Sequence, residues 1–252
     1  MLPIRDLNPA RRPAIINWLL VAATAYVFFV IQSGESALVP DDEFLFAQAA
    51  IPCEVVTGEP LSVVEINNQV CDRSDGNPVF PEKNVLFSVL ASIFFHGGLG
   101  HLISNLWVLI IFGNNIEDAY GHFVYLGFYL LAGVAAAAAH IILRPESTIP
   151  VVGASGSIAG VMGAYAVLHP RARVTSIIPP FYFWPFAMPA FLFLGIWFFS
   201  QFLLAGADTN IAWEAHVAGF AFGFLVSLLF RRRLHGHETS QQVLYPVGRL
   251  RR

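Results

Sequence analysis

Six predominantly apolar runs divide this chain, at about 14–32, 98–118, 121–143, 155–169, 186–205 and 213–230. A membrane-crossing helix needs ~20 mostly apolar residues, so each run is a predicted span. The first begins near Ala14 and has no small-residue cleavage site after it, so it is expected to stay as an anchor. The fourth is short. Fifteen residues at 1.5 Å each cover about 22 Å, less than the ~30 Å hydrocarbon core. Such a helix must begin or end below the membrane surface, where only protein or water can surround its end. A seventh stretch, NVLFSVLASIFF at 84–95, is amphipathic and predicts a helix lying at the interface before the second span.

Composition agrees. The chain has 252 residues, 56% of them hydrophobic and 12% charged, about half the usual charged fraction. That is too little charge for the shell of a soluble domain. With a net charge of −3 and no basic face, a nucleic-acid partner is not expected. There is no internal repeat, and AAAAAH at 135–140 reads as a lipid- or helix-facing run.

The sparse charges orient the spans. Eleven of the fourteen basic residues fall before span one (Arg5, Arg11, Arg12), after span four (Arg171, Arg173) and after span six (Arg231, Arg232, Arg233, Arg249, Arg251, Arg252). Six spans put all three groups on one side, which the positive-inside rule makes cytoplasmic. The charges read as a basic N-terminal tail at 1–13, a six-span domain at 14–230 and a basic C-terminal tail at 231–252, with both termini cytoplasmic; the membrane is expected to be a bacterial plasma (inner) membrane. The RRR of the last tail suits anionic headgroups. The segment 33–84 becomes an extracytoplasmic first loop. It holds the two cysteines, Cys53 and Cys71, for which a disulfide is the favoured reading and two free thiols the alternative.

Polar residues inside a membrane are costly and usually face the bundle interior. HGGLGHLISN supplies His96, His101 and Asn105; GASG supplies Ser155; AHVAGFAFG supplies His216. The proposed topology puts all of them near the outer leaflet. His101 and Asn105, four apart, share one helix face. Serine becomes a strong nucleophile only when a base takes its proton, and histidine is the usual base. An acyl-transfer site also needs donors for the oxyanion: the Asn105 amide, a His101 ring nitrogen and the Ser155 N–H at a helix start can serve. Glu214, two residues from His216, points elsewhere on a helix, so the residues read as a Ser155–His216 dyad. Gly156, Gly160 and Gly163 on span four, with Gly219 and Gly223 on the His216 face of span six, allow close helix approach.

Each piece also has a bland reading. Gly-x-Ser-Gly is a common packing pattern, and it is not the soluble-hydrolase elbow, because Ser157 takes the last position. His101 and Asn105 can simply tie spans together. His96 and His101 are off-face for a shared metal, and no His-Glu-x-x-His pattern is present, so no metal is expected. His122, His140 and His169 read as packing or interfacial residues. Glu117 and Asp118 read as pins for a helix end on the cytoplasmic side.

The set as a whole resembles the rhomboid family of intramembrane serine proteases. The pieces that carry the resemblance are His96-x4-His101-x3-Asn105, GNNIED, GASG and HVAGFAFG, in the family's order over roughly residues 84–230. The resemblance implies an all-α, six-transmembrane-helix bundle with a short fourth helix starting at the nucleophile. It makes Ser155 the nucleophile, His216 the general base, and His101 and Asn105 the oxyanion side chains. It gives His96, Gly153, Gly156, Gly219 and Gly223 supporting roles. Implied partners are the bilayer and single-pass membrane proteins, cut near the top of their span after small residues, and no cofactor is implied. Span five and the loop at 206–212 would be gate and cap. Two departures stand out. The first loop lacks the Trp-Arg pair of many members, and Ala159 stands where many carry an aromatic residue against the histidine. Rival readings are a non-catalytic binder of membrane clients, a small transporter and a purely structural bundle. The sequence sets no oligomeric state.

Overall fold

The computed structural model of the chain describes residues 2–36, 39–72, 76–177, 185–204 and 211–244. Most of the expected cap loop (206–210), Ala205 of the fifth run, Arg73 and the tail beyond 244, with Arg249, Arg251 and Arg252, lie outside the described residues.

In chain order, strand β1 (Leu2–Asp6) leads to helix α1 (Ile15–Tyr26), which continues as a π-helical turn over Val27–Ile31. The segment that follows holds the short strands β2 (Ser33–Ser36) and β3 (Val39–Pro40) and the helices α2 (Asp42–Gln48), α3 (Pro52–Thr57) and α4 (Val63–Asn68). Then come α5 (Val85–Ala91), a 3-10 turn over Ser92–Phe94, and the long helices α6 (Leu99–Tyr120) and α7 (His122–Leu143). Helix α8 (Ser155–Leu168), strands β4 (Arg173–Ile177) and β5 (Phe186–Pro189), α9 (Ala190–Leu204) and α10 (Trp213–Leu244) complete the order.

The protein is mostly helical, with several apolar helices. Three of these, Leu99–Tyr120, His122–Leu143 and Trp213–Arg232, are long and apolar enough to cross a membrane; Ile15–Ile31, Val85–Phe94, Ser155–Leu168 and Ala190–Leu203 are shorter apolar helices. Helix α8 is the hub. It packs against α6, α7 and α10, and its side chains from Gly156 to Tyr165 are all buried. An aromatic group locks it sideways: the Phe112 ring meets Tyr165 edge-on at 5.0 Å and stacks on Phe193 at 6.1 Å.

Two features differ from the hydropathy reading. The all-α expectation misses a three-stranded antiparallel sheet, ordered β1-β4-β5, that pairs Leu2 with Ile177 and Val174 with Met188. Residues 2–6 are therefore a strand and not part of a tail, and the fifth run enters its helix only at Ala190. The reason is polar. The Asp6 carboxylate accepts from Tyr165 Oη at 2.5 Å and Asn115 Nδ2 at 2.6 Å, and the Trp107 indole donates to Pro3 O at 2.6 Å. These bonds hold the N-terminal arm against α6 and α8. Glu117 extends the clasp: its two oxygens accept from the Ile16 and Asn17 N–H groups at 2.9 and 2.7 Å, capping the first turn of α1. Asp118 accepts from Arg11 N at 3.0 Å.

The second difference is that 33–84 is a folded layer. Ser62 and Glu65 form a reciprocal capping box at α4, and Gly58, at φ +82°, ends α3. Cys53 and Cys71 are disulfide-bonded. Under them Lys83 Nζ lies 2.5 Å from Glu54 Oε2, both side chains 2% exposed or less, and donates to Phe46 O at 2.7 Å. Burial pushes the Glu54 carboxyl up and the Lys83 ammonium down from their ordinary values. Each charge thus persists there only because the other is present. Removing one strands its partner, at a cost of about 3–5 kcal/mol. Lys83→Met should therefore lower the thermal midpoint in detergent markedly, and adding Glu54→Leu should recover much of the loss. A double variant as unstable as the two single losses added together would contradict this.

Candidate active site

Ser155 is the first residue of α8, where backbone N–H groups have no intrahelical acceptor. The loop that delivers it turns at Gly153, whose φ of +124° favours glycine; a Cβ there would also meet the His101 ring at 2.8 Å. Two backbone bonds pin this loop to the layer above: Gly153 N–H donates to Ser92 O at 3.0 Å and Val151 N–H to Ala50 O at 2.8 Å.

His216 lies one turn into α10. Its Nε2 is 2.9 Å from Ser155 Oγ, a bond across 61 residues of sequence. Glycines make that approach possible. A Cβ on Gly219 would sit 2.2 Å from Gly156 O, one on Gly223 1.9 Å from Gly160 O, and one on Gly163 2.1 Å from Phe220 O. On the far side of α8, a Cβ on Gly156 would meet Ala136 Cβ at 2.5 Å. Helix α8 is squeezed between α7 and α10 with backbone nearly touching backbone, the small-residue packing of membrane helices.

His101 and Asn105 rise on one face of α6. The His101 ring borders Gly153 and lies edge-on to His96, ring centres 5.0 Å apart. Asn105 is buried, and among the described residues its Nδ2 has no hydrogen-bond partner. A buried amide donor left unspent calls for an explanation. His96 is wholly buried and held through its main chain, because Gln32 accepts from its N–H at 3.0 Å and donates back to its carbonyl. Glu214 does not serve His216. Its carboxylate takes Arg144 Nε at 2.8 Å and lies 3.5 Å from His140 Nδ1.

The other face of His216 is occupied by residues that motif reading passed over. Gln201 of α9 sets Oε1 2.8 Å from His216 Nδ1, and the Trp197 ring lies 6.1 Å from the imidazole at a 37° tilt. The signal was available: Gln201 is a lone amide in the apolar FFSQFLL. Gln32, in FVIQS, is the same kind of signal. Next to Ser155 is a small cavity lined by Ile93, Gly133, Ala136, Gly153 and Ala215 among others, nearly all of them small. Among the described residues no group of three or more His, Cys, Asp or Glu is arranged to hold a metal.

The family model of the Rhomboid domain matches residues 83–233, and the chain belongs to the rhomboid family. It is 29% identical to RHOMBOID-like protein 12, mitochondrial, of Arabidopsis thaliana, over 54% of this chain and 44% of that protein. It is 27% identical to Rhomboid protein 1, mitochondrial, of Saccharomyces cerevisiae, over 64% of this chain and 46% of that protein. A third relative, the presenilin-associated rhomboid-like protein, mitochondrial, of Bos taurus, is 31% identical over 40% of this chain and 28% of its own length. The matches thus span less than half of these relatives. They overturn the assignment to a bacterial plasma membrane, since these relatives are eukaryotic and mitochondrial. The physical reason is simple: charge bias separates two sides of a bilayer and carries no information about which bilayer it is.

The glycine contacts yield a direct test. Gly219→Ala must force α8 and α10 apart, whereas Gly195 of α9 has nothing within 4 Å of an added Cβ. Thermal melts in detergent should show a clear loss for Gly219→Ala, and no loss for Gly195→Ala, which gains up to ~1 kcal/mol of helix propensity. Equal effects would mean that the close contact is not limiting.

Proposed function

We propose that this chain is an intramembrane serine endopeptidase that cleaves single-pass membrane proteins through an acyl-enzyme on Ser155. The observation that carries the reading is the 2.9 Å contact between His216 Nε2 and Ser155 Oγ at the buried start of α8. Six helices serve as spans in this reading: α1 with its π turn, α6, α7, α8, α9 and the first part of α10. The folded layer of 33–84 lies on the side of Ser155, and the β1-β4-β5 sheet on the other.

The chemistry follows from the placement. Ser155 Oγ attacks the scissile carbonyl carbon as its proton passes to His216 Nε2. The carbonyl oxygen becomes an oxyanion, met by the Asn105 amide, the His101 ring and the Ser155 N–H. His216 then returns the proton to the leaving amine, the C–N bond breaks, and an ester on Ser155 remains. Water, deprotonated by His216, attacks that ester and releases the acid. The small residues around the cavity beside Ser155 favour a small side chain before the scissile bond. The unspent Asn105 donor supports the same reading, since an oxyanion is the partner it lacks in the resting protein.

The test is labelling by a fluorophosphonate probe in detergent, followed by cleavage of a model transmembrane substrate in liposomes. Wild type should label, and folded Ser155→Ala and His216→Ala should not. Asn105→Ala should retain its fold and lose about 10²–10³ in kcat, the usual cost of one oxyanion donor. Well-folded wild type that fails to label with probes of several sizes would point instead to a client-binding protein.

A further inference from the structure

We propose that Gln201 is a positioning residue for His216, fixing its tautomer and its tilt in the place a carboxylate holds in a serine–histidine–aspartate triad. The proposal rests on the protease reading above. Its evidence is separate, because it concerns the imidazole nitrogen that does not face Ser155.

The orientation of the Gln201 amide is decided by its own surroundings. Its Nε2 donates to Trp197 O at 3.2 Å, one helical turn back, and lies 3.4 Å from Ser200 Oγ. That turns Oε1, which can only accept, toward His216 Nδ1 at 2.8 Å. The Nδ1 atom must therefore carry a proton. A neutral imidazole protonated on Nδ1 is bare on Nε2, the nitrogen 2.9 Å from Ser155 Oγ. Gln201 thus selects the one neutral form able to accept the serine proton. Its side chain is 5% exposed, so water does not readily replace it. Trp197, four residues earlier on the same face of α9, flanks the ring. Together they do from α9 what Ala159 cannot do from α8.

Two roles compete for Gln201: a buried amide that merely satisfies itself, and one that sets the histidine. Stability cannot separate them, but proton location can. The titratable or charged groups around His216 are His101 on α6 and Glu214 on its own helix, the latter engaged by His140 of α7 and by Arg144 just after it. Gln201→Leu leaves this surrounding charge untouched and removes the acceptor. Gln201→Glu keeps an acceptor and adds a charge that favours imidazolium.

The experiment compares wild type, Gln201→Leu, Gln201→Met and Gln201→Glu in detergent, with Ser155→Ala as the blank, each checked for a cooperative melt. The rate of fluorophosphonate labelling is followed against pH, and ¹⁵N histidine spectra are assigned by the signal lost in His216→Asn. Labelling should slow about 5- to 100-fold in Gln201→Leu and Gln201→Met, the scale of one lost buried hydrogen bond. Gln201→Glu should recover most of the rate, with its acid limb moved to higher pH. The wild-type ¹⁵N pattern should show His216 protonated on Nδ1, and Gln201→Leu should mix the tautomers. Unchanged rate and pH limb in folded Gln201→Leu would overturn the proposal and leave the protease reading intact. If wild type does not label, the protease reading fails, and the ¹⁵N spectrum still decides the tautomer: a proton on Nε2 of wild-type His216 would sink the positioning role as well.

Discussion

The closest constraint in this fold is the contact between α8 and α10. Gly219 and Gly223 run along carbonyls of Gly156 and Gly160 at distances that admit no side chain. Within a bilayer there is little hydrophobic drive to bring helices together, so association depends on packing and interhelical bonds. Here that packing also sets the geometry of the site. Ser155 begins one helix and His216 lies near the start of the other, and the 2.9 Å between them is reached only because the two backbones nearly touch. The same squeeze explains why α8 carries Gly, Ala and Ser on most of its surface. A helix with neighbours this close on several sides has no room for the bulk that hydropathy alone would accept.

The two ends of the bundle are held by different means. At the end away from Ser155, polar side chains do the work: Glu117 of α6 caps α1, and Asn115 of α6 with Tyr165 of α8 grips Asp6 of the N-terminal strand. At the Ser155 end, a separate layer supports the loop before α8. Ala50 and Ser92 both bond to it or through it: Val151 donates to Ala50, Gly153 to Ser92, and the Ser92 hydroxyl accepts from Ala50 N–H at 2.7 Å. Cys53 N–H donates to Ser147 O at 3.0 Å, which joins the disulfide-bonded segment to the same loop. Closing an 18-residue separation by a disulfide contributes about 3 kcal/mol in the chain-entropy account. The stability of that layer is therefore tied to the placement of Ser155 by main-chain bonds, which do not depend on side-chain identity.

Much of this was legible in the sequence, and the misses have causes. The runs at 98–118, 121–143 and 155–169 fall within one or two residues of Leu99–Tyr120, His122–Leu143 and Ser155–Leu168, because a continuous apolar stretch is a local signal. The meeting of Ser155 with His216, and of Gly219 with α8, was readable from depth and small-residue spacing. The β1-β4-β5 sheet was not. Its strands are four or five residues long, and β1 pairs with a segment about 170 positions away, so nothing local announces it. Hydropathy also treated 33–84 as a loop, since short capped helices around a disulfide carry no long apolar run. Gln201 and Gln32 escaped for another reason. A search for catalytic chemistry looks for residues that titrate or attack, and an amide does neither; it acts by holding something else still.

That distinction bears on how the site is built. Ser155 is fixed by the helix it begins, by Gly153 and by the layer above, all within the crowded centre of the bundle. His216 is fixed on its Ser155 side by the glycine contact, and on its other side by Trp197 and Gln201 of α9. Helix α9 turns its other face outward: Phe199 is 70% exposed and Leu203 80%. Ser155 and His216 therefore share the α8–α10 contact but differ in the rest of their support. A displacement of α9 would free the Nδ1 side of the imidazole. In a site of this construction a shift of α9 reaches the His216 imidazole directly, through Gln201 and Trp197, and Ser155 only by way of α8.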